Sequence, residues 1–302
     1  MKKITRSLVL FTGFMAFSFG SAMAQQTLTL PPLNTPDSGQ KLPGKFIWFD
    51  LATPALAAQQ KFYTAVFGWS YRSPGQSNDN YQLVLNQGQP IAGMFATEPP
   101  GGEQDGAAWI ALLSVDDVDQ AARAASSAGG KVELPAADVR NRGRHALLRD
   151  PQNALFGVLD SSSGDPADDE IPIGGIIWVD LFTQEVDAMV DFYSKLAPFE
   201  SRLRGMIEGS EGKLLLAHGM PRAGVVPVDE EANRSAWVPY VRVTDVQAAL
   251  DRATEGGGFT IIAPDPILLD GNLGVFVDPN GGVMGVVKYD YEEGDDAAGD
   301  QP

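Results

Sequence analysis

Two tryptophan–carboxylate pairs are the residues of this chain best placed to do chemistry. Trp48-Phe49-Asp50 and Trp178-Val179-Asp180 each lie in a short run of aromatic and branched residues, Ile47 to Leu51 and Ile177 to Leu181. Such runs read as strands, and in a strand residues two apart share a face. Each pair therefore sets an indole beside a carboxyl group. Ile47, Phe49 and Leu51 are expected on the opposite face, as are Ile177, Val179 and Leu181. A buried carboxylate without a partner is costly, so Asp50 and Asp180 must reach a hydrogen-bonding partner or face a solvated pocket. Either setting suits a polar anchor for a ligand or a general base.

Other chemistry is sparse. There is no cysteine, hence no thiol nucleophile, no disulfide and no lipidated amino terminus. The two histidines occupy non-equivalent places: His145 in Arg142-Gly143-Arg144-His145, and His218 after Leu214-Leu215-Leu216-Ala217. Both read as rim residues, and His218 gains a role only if it lies opposite Asp180 in one cavity. No Gly-x-Ser-x-Gly elbow or phosphate loop is present, and the glycine clusters fall where helices end. Arg140, Arg142, Arg144 and Arg149 form the one basic cluster. It reads equally as an orienting site for an anionic ligand or as a charged strand edge that resists aggregation.

The elements that must position these residues occur in duplicate. Phe62-Tyr63 returns as Phe192-Tyr193, about 130 positions on. Ala108-Trp109 with Val115-Asp116-Asp117-Val118 returns as Ala236-Trp237 with Val243-Thr244-Asp245-Val246, and Asp150-Pro151 returns as Asp278-Pro279. Ordered matches at a nearly constant offset mean two copies of one module. In the first copy, strands are expected over 45–51, 81–85, 91–95, 109–115, 132–134, 146–148 and 155–159, with helices over 55–67 and 118–128. In the second, strands are expected over 174–181, 213–217, 237–243, 275–277 and 283–287, with helices over 185–196 and 246–255. Polar, Pro/Gly-containing residues 161–171 form the linker between modules 44–160 and 172–289.

Residues 1–24 read as a cleaved secretory signal peptide: basic Lys2, Lys3 and Arg6, an apolar run from Leu8 to Phe19, and Ala22-Met23-Ala24 before Gln25. A periplasmic or secreted location is the expectation. Residues 25–43 read as an extended leader and 290–302 as an acidic, disordered tail. The formal net charge is −17, and loss of the signal makes it more negative. Such a field repels nucleic-acid phosphates and anionic lipid headgroups, so neither is an expected partner.

The order strand–helix, hairpin, strand–helix, then strands closing on an Asp-Pro turn resembles the vicinal oxygen chelate superfamily of glyoxalases, bleomycin-resistance proteins and dioxygenases. Four features carry the resemblance. They are Trp-x-Asp-Leu before Phe-Tyr-x-x-x-Phe-Gly-Trp, the Val-x-Asp-Val start of the second helix, the Gly-Gly that ends it, and the late Asp-Pro turn. The resemblance implies an α+β fold of tandem modules, each a curved mixed sheet of paired βαβββ units, with Trp48, Asp50, Trp178 and Asp180 facing the cups. It also implies a metal site in enzymes of the family. The implied ligand positions here hold Trp48 and Trp178, then Trp109–Ile110 and Trp237–Val238, then Gly157 and Gly285. None can ligate a divalent cation, so no metal and no cofactor are expected.

Three functions remain open. One is a metal-free module binding a small molecule, with Trp48, Trp109, Trp178 and Trp237 as pocket floors and Asp50 and Asp180 as anchors. His218 is the further candidate ligand contact. A second is an enzyme (lyase, isomerase or dioxygenase) with atypical metal donors or an Asp general base. The third is a structural envelope protein with filled cups. The partner is then a small molecule or none, and the chain is a monomer of paired modules or a homodimer. Sequencing the amino terminus of native protein is expected to give Gln25 or a close neighbour; retention of Met1 would refute the signal peptide.

Overall fold

A computed structural model describes residues 29–75, 80–97, 106–204, 212–229 and 235–291. The expected signal peptide and all of the acidic tail beyond Tyr291 lie outside the described residues. The first module contains strands β1 (Phe46–Thr53), β2 (Ser70–Arg72), β3 (Tyr81–Asn86), β4 (Gln89–Ala96), β5 (Ala108–Ser114), β6 (Lys131–Val139), β7 (Gly143–Arg149) and β8 (Leu155–Ser161), with helices α1 (Leu56–Phe67) and α2 (Val118–Ser127). The second repeats the series as β9 (Ile176–Thr183), α3 (Val186–Tyr193), β10 (Glu200–Leu203), β11 (Lys213–Ala217), β12 (Met220–Pro227), β13 (Ala236–Arg242), α4 (Val246–Glu255), β14 (Phe259–Ile262), β15 (Leu273–Val277) and β16 (Val283–Val287).

Each module closes its own mixed eight-stranded sheet, in the order β2-β3-β4-β1-β5-β8-β7-β6 and β10-β11-β12-β9-β13-β16-β15-β14. β1 and β5 form the central antiparallel pair, each parallel to the last strand of its own βαβββ unit, and β9 and β13 do the same. The repeated Val-x-Asp-Val sequence has a local cause. Asp117 and Asp245 are N-caps, whose carboxylates accept the N–H of Gln120 and Ala248 at 2.9 Å each. Gly68, at φ 75°, supplies the left-handed residue that stops α1.

Four strands were not legible in the sequence: β2, β10, β12 and β14. β10 is exposed along its whole length, so it shows no alternation. β12 carries Pro221, Gly224 and Pro227, residues that ordinarily argue against an interior strand. A second correction concerns Ile47 and Ile177. Between Phe46 and Trp48, β1 spends two steps against one on β5, and β9 does the same between Ile176 and Trp178. These bulges insert one residue and turn Ile47 and Ile177 to the cup side beside the tryptophans.

A single apolar core spans the helix side of both modules. The other repeated motifs meet there in crossed pairs. Asp278, in the turn of the second module, accepts from Tyr63 Oη and Gln59 Nε2 of α1, both at 2.8 Å. Asp150, in the turn of the first, accepts from Tyr193 Oη of α3 at 3.1 Å. The other oxygen of each aspartate folds its own turn, through Gln152 and Ala154 N–H or Asn280 and Gly282 N–H. Trp109 and Trp237 complete the chains by donating to Tyr63 and Tyr193 Oη at 3.0 and 2.8 Å.

Burial raises the Asp150 carboxyl to about 6, against the opposing pull of its hydrogen-bond donors. Between roughly pH 4 and pH 6 the folded chain therefore holds a proton that the unfolded chain has lost, so this group's contribution to stability declines as pH rises through that window. The loss is on the order of 2–3 kcal/mol. Asp150→Asn keeps the turn but cannot titrate. The stability difference between wild type and Asp150→Asn, from urea unfolding at pH 4 and pH 7, is expected to shift in favour of the variant at the higher pH. A constant difference would refute it.

Candidate functional site

The concave face of each sheet gathers one Trp–Asp pair and the residues opposite it. In the first cup, Trp48 Nε1 donates to Asp50 Oδ1 at 2.9 Å, and Tyr81 Oη donates to the same oxygen at 2.7 Å. The carboxylate lies over Gly93, its neighbour on β4, where a Cβ would stand 2.1 Å from Asp50 Oδ1 and 1.9 Å from Tyr81 Oη. Asp50 keeps some exposure to solvent. Its surroundings still raise its pKa, burial outweighing the stabilising contacts of Tyr81, Arg142 and Trp48.

Arg142 closes the side of this cup. Its guanidinium carbon lies 4.2 Å from the centroid of the Trp48 ring, a cation–π contact worth about 1–2 kcal/mol when desolvated. The residue is 3% exposed. Among the described residues, none offers a hydrogen-bond acceptor to Nε, Nη1 or Nη2. Burial lowers its pKa, yet a guanidinium remains charged in proteins. His145 shares the strand face of Leu147, which packs into this cup, and burial, then Arg142, lowers its pKa.

The second cup is arranged differently. Trp178 Nε1 donates to Asp180 Oδ1 at 2.7 Å, and Arg204 Nη1 donates to the same oxygen at 2.6 Å. Asp180 is 1% exposed and Arg204 8%. The Tyr240 hydroxyl also hydrogen-bonds Asp180, and its ring fills the space above Gly285, where a Cβ would be 2.2 Å from it. Ile171, Tyr289 and Tyr291 pack over the same cluster. Tyr291 Oη accepts the Ile171 N–H at 2.8 Å, so the first residues of the expected disordered tail are packed instead.

Trp48, Asp50, Trp178 and Asp180 thus occupy the cups, as the strand alternation predicts. Trp109 and Trp237 do not. Each pairs directly with Leu51 or Leu181 and shares its helix-side face; Ile110 and Val238 face the cups in their place. His218 does not join Asp180. It sits on the exposed turn between β11 and β12, where Nε2 contacts the Pro43 carbonyl at 3.1 Å. The arginine cluster separates into distinct roles. Arg144 pairs with Asp119 and Asp138, Arg149 pairs with Glu133, and Arg142 turns inward onto Trp48. Tyr81, Tyr240 and Arg204 were not singled out in the sequence; the repeated Ala92-Gly93 and Ala223-Gly224, which make room for the carboxylates, were the available signal.

The glyoxalase/bleomycin resistance protein/dioxygenase superfamily model matches residues 45–158. The anthracycline biosynthesis protein DnrV of Streptomyces peucetius is 31% identical over 265 residues, 82% of this chain and 94% of the relative. The chain belongs to this superfamily. A putative glyoxylase, CFP32, of Mycobacterium tuberculosis is 28% identical over 80% of this chain and 93% of its own length. Among solved structures, the Mn(II)-bound glyoxalase from Novosphingobium aromaticivorans shares the fold at a TM-score of 0.55, with 15% identity over 82% of each chain. The 2,3-dioxygenase LapB from Pseudomonas sp. KL28 does so at 0.53, with 12% identity over 86% of this chain and 97% of that one.

A metal in the superfamily's manner does not fit these cups. Trp48, Ile110 and Gly157 stand at the implied ligand positions of the first, and Trp178, Val238 and Gly285 at those of the second. Leu112 crowds Gly157, its Cγ 2.8 Å from the place a Cβ would take, as Tyr240 crowds Gly285. A guanidinium already holds positive charge in each cup. Among the described residues, no three His, Asp or Glu come together where they could hold an ion. Gly285→Ala is expected to cost about 3 kcal/mol, since the rigid Tyr240 ring must move, and Gly157→Ala about 1 kcal/mol, since Leu112 can shift. Thermal unfolding of the two variants checks the order; equal losses would refute it.

Proposed function

We propose that this protein is an exported, metal-independent binder of a small organic molecule, and that its first cup is the ligand site. The asymmetry between the cups carries this reading. In the second, the carboxylate is spent on Arg204, Trp178 and Tyr240 and is closed from solvent. In the first, Asp50 is less completely buried than Asp180 and makes no salt bridge among the described residues, while an indole and a phenol hydroxyl stand beside it. An aromatic wall with a few convergent polar groups is what small-molecule sites require. The filled-cup reading suits the second module, whose cup then serves stability. The relative named for anthracycline biosynthesis is consistent with an organic ligand.

One observation favours an enzymatic reading beside it. A carboxyl whose pKa is raised by burial, at the edge of a cup, is suited to proton transfer. Binding is common to both readings, so it is tested first. A library of organic acids, alcohols and amides is screened by tryptophan fluorescence, with Trp48→Phe and Trp178→Phe as controls. A ligand is expected to quench wild type and Trp178→Phe but leave Trp48→Phe nearly unchanged, and EDTA is expected to alter affinity less than about twofold. Quenching that survives in Trp48→Phe, or binding abolished by EDTA, would overturn the proposal.

A further inference from the structure

Resting on the first cup as the ligand site, we infer that its ligand is an organic monocarboxylate, bound through Arg142 beneath the amino-terminal leader. Buried charges in proteins are almost always paired. Arg142 is 3% exposed, stacked by one face on Trp48, and has no acceptor for Nε, Nη1 or Nη2 among the described residues. With one face covered by the indole, the buried edge of the planar fork has no acceptor among the described residues, and that edge matches a carboxylate in bidentate fashion. Beyond it the cup is apolar: Leu83, Leu112, Leu147 and Leu159 line it. A carboxylate head with an apolar body satisfies both parts of the site. The acidic surface of the chain disfavours polyanions.

The leader packs into the same cup-side cluster. Leu30 is 6% exposed within the cup cluster, and Leu33 packs against it. The Leu30 N–H donates to the Arg140 carbonyl at 3.2 Å, and Thr29 bridges the same residue, two positions from Arg142. Displacing this short segment would free the volume of two leucine side chains in the cluster that holds Trp48. Ligand and leader therefore compete for one cup.

The test uses benzoate and octanoate, with benzamide and octanamide as uncharged counterparts and inorganic phosphate as a bare anion. Binding is followed by calorimetry and by Trp48 fluorescence at about pH 7. The carboxylates are expected to bind one per chain, at least tenfold tighter than the amides and than phosphate. Arg142→Met, which keeps the stem on Trp48, is expected to lose at least tenfold in carboxylate affinity while its ligand-free Tm rises, because an unpaired buried charge is gone. Arg142→Lys is expected to fall between. Leu30→Ser, which weakens the leader's hold, is expected to tighten carboxylate binding severalfold. Amides binding as well as carboxylates, or phosphate binding more tightly, would overturn the inference and leave the first cup as a site for another class. Unchanged affinity in Arg142→Met, or a lowered Tm, would make Arg142 a structural residue and also overturn it. If neither charged nor uncharged compounds bind, the ligand-site reading falls with it.

Discussion

The crossed hydrogen bonds between each Asp-Pro turn and the opposite helix are the constraint on which the rest of the molecule depends. Asp150 and Asp278 each divide their two oxygens between their own turn and a tyrosine of the other module. A buried hydrogen bond to a carboxyl is worth about 1.5–3 kcal/mol, and leaving one partner unsatisfied costs as much again. Neither module can therefore separate without stranding a buried aspartate in the turn that closes its own sheet. The contacts are mutual, as in an isologous interface, where each half offers the other the same patch. The shared core beneath them buries Phe46 against Trp237 and Phe156 against Tyr193, so the sheets keep a fixed relation and their concave faces point away from it.

Within that frame the two cups have diverged through where their guanidinium comes from. In the second it arrives at the end of β10, next to the carboxylate, and the two charges cancel in direct contact. In the first it comes from the β6–β7 turn and meets the indole instead of the carboxylate. Such a difference decides how each concave face can behave. A cup whose charges meet in direct contact gains stability from them. A cup with a cation that finds no acceptor among the described residues, and a carboxyl of raised pKa, stores unfavourable electrostatics, which natural proteins tolerate chiefly where a site needs them.

Much of this was legible in the sequence. The duplication, the N-caps, the Asp-Pro turns and the cup-facing Trp–Asp pairs all follow from local rules, because each residue acts within a few positions of itself. What escaped depended on pairing between distant strands. The run Ala108 to Leu113 is apolar throughout, so alternation could not say whether Trp109 or Ile110 faces the cup; its register against Leu51 decides it. The bulges at Ile47 and Ile177 are likewise invisible without the partner strand. Arg142 stood among four arginines of similar neighbourhood, and only the curl of the β6–β7 turn sets it on Trp48 while Arg144 and Arg149 meet carboxylates.

The leader has a consequence for the order in which the chain can settle. Asn34 and Ser38 hydrogen-bond to Ser163, Gly164 and Asp165, and the Leu42 N–H and Ser114 hydroxyl donate to the Asp165 carboxylate. Lys45 reaches the carbonyls of Pro166 and Ala167. Every one of these anchors lies more than a hundred residues further along the chain, apart from Ser114. A segment whose anchoring bonds run to distant partners gains little until they are in place, and closing so long a loop is entropically costly. The amino-terminal stretch is made first, yet its hydrogen bonds to residues 163–167 can form only once that linker has been made and brought beneath it.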